Sequence, residues 1–385
     1  MLELALIGTP NSGKSTMFKA MTLKDVKIAS YPFTTLEPNE GLAFASSRCP
    51  CKLLHLECKK CVDGIRFVPV KLWDVAGLVE GAHQGRGRGN AFLSDLISSS
   101  AFIHVIDVSG RTDLEGNPAD GFDPIGAVEM LERELDFWLL SLIKKDWNAA
   151  KSQNNAVELF TKRLTGLSIT KEDIKIVMEH LHLSERIEAW SDINAFDFVS
   201  ALRRKTKPSV IAANKIDLGG AKNLEKLTER YEGKKIFPTS AEIELALREA
   251  TKHGLIKYIP GDSRFEVLGS ATEKQKAALG VMQHFLGSHK STNVQAVLDA
   301  TVFDVLGMIV VYPVENEHKF SNKKGDVLPD CFLMKRGSTA LDMAFSIHQD
   351  IGSKFISAVN ARTKRTVSAD YVLQDGDIIS IKSGR

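Results

Sequence analysis

Leu4-Ala5-Leu6-Ile7-Gly8-Thr9-Pro10-Asn11-Ser12-Gly13-Lys14-Ser15, followed by Thr16, is the stretch whose reading decides the fold. Its first four residues form a short, continuous apolar run, the pattern of a strand buried on both faces in a parallel sheet. The next eight match G-x-x-x-x-G-K-S. Gly8 and Gly13 let the backbone curl so that successive N–H groups converge on phosphate oxygens. A helix opening at Lys14 adds its positive end. Lys14 then reaches the β- and γ-phosphates, and the Ser15 hydroxyl ligates Mg²⁺.

Three further elements follow in order. Leu72-Trp73-Asp74-Val75-Ala76-Gly77 is a strand running into D-x-x-G, where Asp74 holds Mg²⁺ through water and the Gly77 N–H senses the γ-phosphate. Val210-Ile211-Ala212-Ala213 is another buried strand, and it delivers Asn214-Lys215-Ile216-Asp217. A carboxylate at position 217 accepts hydrogen bonds from guanine N1–H and the 2-amino group, neither of which adenine offers. Ser240-Ala241-Glu242, after Lys235-Ile236-Phe237-Pro238, fits a loop closing over the base. Each motif stands at the C-terminal end of an apolar strand, the edge where open α/β sheets bind ligands. The expectation is a guanine-nucleotide site using Gly8, Pro10, Asn11, Ser12, Gly13, Lys14, Ser15, Thr16, Asn214, Lys215, Asp217, Ser240, Ala241 and Glu242.

The chain has 385 residues, enough for two or three domains, with a net charge of +2 that favours no class of partner in bulk. Met1 to Ile7 lacks the basic start and longer apolar core of a signal peptide, and no apolar run reaches a membrane span. A cytoplasmic protein without membrane contact is expected. Of five cysteines, four crowd into Cys49-x-Cys51-x₆-Cys58-x₂-Cys61, which speaks against a disulfide framework and for a reducing compartment. That spacing resembles a small Cys₄ zinc knuckle, tighter than usual at Cys49 and Cys51; a redox-responsive thiol cluster and no special role are the alternatives.

Between the P-loop and D-x-x-G lies Tyr31-Pro32-Phe33-Thr34-Thr35-Leu36-Glu37-Pro38-Asn39, and after it Leu78-Val79-Glu80-Gly81-Ala82-His83-Gln84-Gly85. This YPFTT…DVAGLVEGAHxG pattern resembles the Obg family of GTPases. With the P-loop at the start of the chain, a helical insertion and the C-terminal segment described below, it is most similar to the YchF (Obg-like ATPase) branch in an archaeal-type version. The developmentally regulated GTP-binding proteins are the second choice. Many proteins of the YchF branch have a degraded N-K-x-D and prefer ATP. Asn214, Lys215 and Asp217 are intact here, and the residues point to GTP.

The resemblance also implies a switch threonine at Thr34 or Thr35, with Thr35 favoured as the group meeting Mg²⁺ and the γ-phosphate in the triphosphate state only. Asn11 matches an asparagine that some related GTPases use to hold K⁺; a loop-shaping hydrogen bond is its other reading. Where Ras-like proteins place a water-orienting Gln, this chain has Leu78, so hydrolysis is expected to be slow or to need a group from elsewhere. His83, Arg86 and Arg88 are the nearby choices, with solvated switch residues as the plainer reading, and Arg88 replaces the leucine expected in the family's G-x-G-L-G run. Lys14, Thr35, Gly77 and His83 are the candidate catalytic set, and Ser15, Thr35 and Asp74 the candidate Mg²⁺ ligands.

After Asp107-Val108-Ser109-Gly110 the strand pattern lapses until Pro208. Asp123-Pro124 is a strong helix start, followed by Leu131, Leu135, Trp138, Leu139 and Leu142 at helical spacing, a stripe that reads as the insertion's own core. A second helix opens at Thr170-Lys171-Glu172-Asp173, and Ile187 to Leu202 reads as a third. From Val302, Met308 to Tyr312 and Cys331 to Met334 read as strands, a helix from about Thr339 carries Leu341, Phe345 and His348 on one face, and Tyr371 to Ile381 places an Asp375-Gly376 turn between apolar segments. Two strands, a helix and two strands suggest a β-grasp, and its L-Q-D-G-D-I-I-S-I ending resembles a TGS domain, a module associated with RNA and translation factors. Its only basic cluster is Arg362-Thr363-Lys364-Arg365.

The expected fold is therefore α/β: a P-loop NTPase G domain (1–110 and 208–301) with a helical insertion (111–207), then a small α+β β-grasp (TGS) domain (302–385). The expected function is Mg²⁺-dependent hydrolysis of GTP to GDP and phosphate as a switch on the ribosome or RNA, with K⁺ and Zn²⁺ as possible further ions. An ATPase, or a nucleotide-gated binding module with vestigial hydrolysis, are the competing functions.

Overall fold

The structure is a computed structural model and describes residues 1–22, 39–75, 77, 79–84, 96, 98–145, 147, 155–269 and 271–384. The elements of the first part, in chain order, are β1 (Glu3–Ile7), α1 (Lys14–Thr22), β2 (Glu40–Arg48), α2 (Pro50–Leu53), β3 (Ile65–Asp74) and β4 (Ala101–Asp107). Four longer helices follow: α3 (Pro124–Lys144), α4 (Ala156–Leu164), α5 (Lys171–His180) and α6 (Asp192–Thr206). Then come β5 (Ser209–Asn214), α7 (Ala221–Arg230), β6 (Ile236–Pro238), α8 (Ala241–Lys252), β7 (Ile256–Lys257), β8 (Glu266–Val267), α9 (Glu273–His289) and α10 (Val294–Asp299).

The sheet runs β2-β3-β1-β4-β5-β6. β1 pairs in parallel with both β3 and β4, and β5 pairs in parallel with β4 and β6. The chain order reverses on either side of β1, and the crevice at such a reversal is where doubly wound sheets take their ligands. The register brings the functional ends level: Leu6 lies opposite Asp74, Ile7 opposite His104, and Asp107 opposite Asn214.

The chain leaves the sheet after Asp107 and rejoins it at Ser209, with α3 to α6 in between. Asp123 caps α3 by accepting from the Ile125 N–H, and Thr170 and Asp173 form a reciprocal capping box on α5. The apolar stripe of α3 divides, contrary to the reading of it as one insertion core. Leu131 and Leu135 belong to the core of the main sheet, with Ile7 and Ile211, whereas Trp138 and Leu139 pack with Phe160, Ile174 and Phe198. At 21 residues α3 is long enough to serve both cores. The helix expected from Ile187 to Leu202 is also corrected. A single 3₁₀ turn, Ile187–Ala189, is followed by extended Trp190, and Ser191 starts α6 afresh with a capping box to Asn194.

The chain divides into two compact units, and the division falls within β2 and β3. The second unit takes in 44–70 and 302–385. Its own sheet contains β9 (Met308–Pro313), β10 (Phe332–Lys335), β11 (Phe355–Asn360), β12 (Arg365–Val367) and β13 (Ile378–Ser383), in the order β10-β9-β13-β11-β12. Its helices are α11 (Ala340–Ile347) and α12 (Gln349–Ser353). β9 and β13 pair in parallel and the other pairs are antiparallel, the arrangement of a β-grasp.

Side chains alternate along β9 as a two-residue repeat requires. Ile309 and Val311 pack with Ala340 and Met343 of α11, while Val310 and Tyr312 pack with Cys49, Cys51 and Cys58. Two details differ from the sequence reading. The buried face of α11 is Ala340, Met343 and Ala344, and Phe345 is 39% exposed, because small residues allow the closest approach to the sheet. Asp375-Gly376 does not join two strands. It hydrogen-bonds back to Val310 at the entry to β13, and the strands missed were β11 and β12.

Candidate nucleotide site

Between β1 and α1 the backbone leaves no room for larger residues. A Cβ at Gly8 would stand 2.4 Å from the Val105 carbonyl oxygen, and one at Gly13 only 2.2 Å from Asn214 Nδ2, with a φ of +97° besides. Ser12 Oγ and Lys14 Nζ both donate to the Thr9 carbonyl, at 2.9 and 2.8 Å. Burial lowers the Lys14 pKa to about 8, with Asp74 working against that shift. Ser15 is exposed and Thr16 half-buried in the first turn of α1, where backbone N–H groups have no helical partner. Asn11 stands at a φ of +58° and its Nδ2 donates to the Gly116 carbonyl at 2.8 Å, a loop-shaping bond. Pro10 lies beside Gly77, where a Cβ would meet Pro10 N at 3.0 Å.

Asp74 ends β3 and accepts a hydrogen bond from the Ser15 hydroxyl. Burial pushes its carboxyl above the ordinary value despite Ser15 and Lys14. Ser15 and Asp74 thus present two hard oxygen donors side by side, a set that fits Mg²⁺. Thr34 and Thr35, together with Leu78, Arg86 and Arg88, lie outside the described residues.

His83 follows in a 3₁₀ turn, Ala82–Gln84, and is held by a residue that the sequence reading missed. Glu134 of α3 accepts from the Gly81 N–H at 2.8 Å and the His83 N–H at 3.1 Å, and its Oε2 lies 2.7 Å from His83 Nδ1. Phe137, about one helical turn further on, stacks on the imidazole at 4.8 Å. Burial opposes ionisation of Glu134, yet the bonds from Gly81 and His83 hold its carboxyl below the ordinary range. The one available signal was a glutamate between Leu131 and Leu135 on the apolar side of α3.

Asn214, at the end of β5, joins two loops. Its Nδ2 donates to the Ser12 carbonyl at 3.0 Å, and its Oδ1 accepts from the Ala241 N–H at 3.0 Å and the Thr239 hydroxyl at 3.4 Å. Lys215, at a φ of +64°, forms a 2.9 Å ion pair with Asp107. Burial would raise the Asp107 carboxyl, but Lys215, Ser109 and Thr112 hold it below its usual range. Asp217 is exposed and has no hydrogen-bond partner among the described residues. Ser240 is fully buried and its hydroxyl caps α8 by accepting from Ile243 N, while Glu242 is exposed in the first turn. The arrangement leaves the Asp217 carboxylate as the unoccupied hydrogen-bonding group of the N-K-x-D loop.

In the second unit, the sulfurs of Cys49, Cys51, Cys58 and Cys61 all lie within 4.8 Å of one another. The structure thus brings together all four cysteines of the sequence cluster.

A GTP-binding protein of Methanocaldococcus jannaschii is 46% identical to this chain, across 100% of it and 99% of the relative. Residues 3–136 match the family described as 50S ribosome-binding GTPase, 212–316 the G4 motif-containing domain of YGR210-like Obg-like GTPases, and 318–383 the TGS domain. The chain belongs to the Obg-like family of GTP-binding proteins. A crystal structure of a GTP-binding protein from Pyrococcus horikoshii is similar throughout, with a TM-score of 0.80, 37% identity and complete coverage of both chains. A ribosome-binding ATPase, YchF of Pasteurella multocida, is 26% identical over 99% of this chain and 98% of its own. No helix among the described residues is long and apolar enough to cross a membrane.

Proposed function

We propose that this Obg-like protein binds GTP in preference to ATP and hydrolyses it to GDP and phosphate with Mg²⁺, as a switch for binding the ribosome or RNA. The observation that carries the reading is the N-K-x-D loop. Asn214 fixes it to the P-loop and to Ala241, Lys215 is tied to Asp107, and Asp217 keeps both carboxylate oxygens for a ligand. Guanine presents two donors to such a group and adenine leaves it unpaired.

In this reading the P-loop amides and Lys14 hold the β- and γ-phosphates, and the Gly77 N–H meets the γ-phosphate. Ser15 and Asp74 would hold Mg²⁺, with Thr35 joining them in the triphosphate state; the ion supplies positive charge at the β- and γ-oxygens. His83 orients the attacking water in place of the glutamine that Leu78 displaces. The Asn11 side-chain oxygen is the ligand offered to K⁺, since its nitrogen is used on Gly116.

The ATPase reading is favoured by relatives such as the YchF protein named above, and a binding module with vestigial hydrolysis by Leu78. Competition binding and single-turnover hydrolysis on the same preparation separate the three. The expected result is displacement of a labelled nucleotide by GTP well before ATP, with Mg²⁺-dependent phosphate release. Equal displacement by the two nucleotides would overturn the guanine assignment, and absence of release with or without ribosomes would leave the binding module.

A further inference from the structure

The loop between β2 and β3 is built around sulfur. Cys49 and Cys58 have their Sγ atoms 3.8 Å apart, and Cys61 lies 3.5 Å from both Cys51 and Cys58. Four sulfurs placed tetrahedrally about 2.3 Å from a zinc ion would be roughly 3.8 Å apart. A disulfide would need about 2.05 Å, and all the cysteines are free thiols.

The backbone is shaped to the same end. The chain turns through left-handed conformations at Lys59 (φ +54°), Asp63 (φ +49°) and Gly64 (φ +88°), just after Cys58 and Cys61. These turns aim the Lys60 N–H at the Cys58 sulfur and the Gly64 N–H at the Cys61 sulfur, while the Cys51 N–H serves Cys49. Donors of this kind orient metal ligands. With His55 at a φ of +53°, three non-glycine residues of the loop hold this uncommon conformation.

A third observation concerns charge. Arg66, two strand residues into β3, is 2% exposed, and its Nε and Nη1 have no hydrogen-bond partner. Its Nη2 donates to the Leu328 carbonyl, the guanidinium also meets the Cys331 side chain, and Tyr312 and Cys49 are its further electrostatic neighbours. No carboxylate among the described residues pairs with it. A buried guanidinium needs a counter-charge nearby. A Zn²⁺ ion with four thiolates carries a net charge of −2, which Arg66 meets from inside and Lys52, Lys59 and Lys60 from the loop.

We propose that Cys49, Cys51, Cys58 and Cys61 bind one Zn²⁺ ion in a closed structural site, with buried Arg66 offsetting its charge. Four S–Zn bonds form, and the four thiol protons pass to solvent. The site packs on the face of the second unit's sheet opposite α11, among Val310, Tyr312, Val314 and Ile378. It closes a core that the short helix α2 and its loop could not close alone. This inference is independent of the nucleotide reading, and neither fails with the other.

The test is metal analysis and thiol titration of the full chain purified without chelator. The expected result is about one zinc per chain, with four cysteines released for titration together only when a chelator is added to unfolded protein. A chelator should also lower the melting temperature of the unaltered chain. Arg66→Met should speed transfer of zinc to a chromogenic chelator several-fold, and Arg66→Lys should largely restore the slow rate. Metal-free protein with freely titrating thiols would overturn the proposal, as would a Cys51–Cys61 disulfide or the visible absorption of an iron–thiolate site.

Discussion

In the proposed nucleotide site Lys14 and Asp217 are both charged, but their surroundings differ. Lys14 is enclosed, and burial takes its pKa to about 8 before any phosphate arrives. Bound phosphate must raise that value again, since a nearby anion favours the charged amine. A group whose bound pKa exceeds its free pKa contributes affinity that is complete below the free value and is lost as pH rises toward the bound one. Nucleotide affinity should therefore be level below pH 8 and fall above it, by up to about tenfold per pH unit. Dissociation constants measured from pH 7 to 9.5 check this, and a flat profile contradicts it. Asp217 is exposed, and in the proposed function its contribution is one of hydrogen bonding. Asp217→Asn should weaken GTP roughly tenfold to a hundredfold, the worth of hydrogen bonds to a charged acceptor, and improve binding of xanthosine nucleotides. Unchanged GTP affinity in that variant would remove Asp217 from base recognition. The sequence singles out both residues because their motifs fix their place in the chain. Asp107, which restrains Lys215, was not, because its role depends on the 2.9 Å approach of a residue more than a hundred positions away.

At the scale of elements, α3 matters more than its place in an insertion suggests. Its first half completes the core of the main sheet, its second half the insertion's core, and Glu134 lies between Leu131 and Leu135, reaching the turn that holds His83. If His83 orients water, the carboxylate that fixes its imidazole is a positioning residue. Glu134→Gln keeps the volume but loses the charge and one of the acceptor oxygens. It should lower the hydrolysis rate about ten- to a hundredfold with little change in nucleotide affinity, and shift the pH profile of the rate as the imidazole loses its partner. An unchanged rate and profile would assign Glu134 to folding alone. Helix starts were readable wherever a cap had a strong signature, as at Asp123-Pro124 and Thr170–Asp173. The break at Trp190 was not, because Ser191 is paired with Asn194 rather than the usual acid or glutamine. The buried face of α11 was misread for a related reason. Ala340 and Ala344 carry little apolar surface of their own, and only the sheet beneath them shows that they face inward.

For the whole molecule the proposed function asks how nucleotide state would reach a partner. From Val302 onward the sequence holds 11 Lys/Arg and 10 Asp/Glu, a net charge of +1, so bulk attraction to RNA is negligible. A local device is present instead. Arg362, Lys364 and Arg365 stand exposed at the turn between β11 and β12. That turn is fixed from below: buried Asn360 accepts from the Arg362 and Thr363 N–H groups and donates to Asp377 at 2.9 Å, while Lys364 holds a φ of +57°. Cations on a rigid turn lose less entropy on binding than cations on a loose loop. Each phosphate contact they make should contribute roughly 0.7 to 0.9 to the slope of log affinity against log salt. Replacing all three with glutamate should therefore weaken ribosome binding and flatten the salt dependence by about two to three in slope, if all three meet phosphate. The unaltered protein should co-sediment with ribosomes more strongly with a non-hydrolysable GTP analogue than with GDP, because the proposed function has Gly77 and Thr35 meet the γ-phosphate. The triple variant should keep its nucleotide affinity, since these residues belong to the second unit and the P-loop to the first. Sedimentation that is indifferent to the nucleotide would separate the switch from the partner. An unchanged salt slope in the triple variant would move the RNA contact away from the β11–β12 turn.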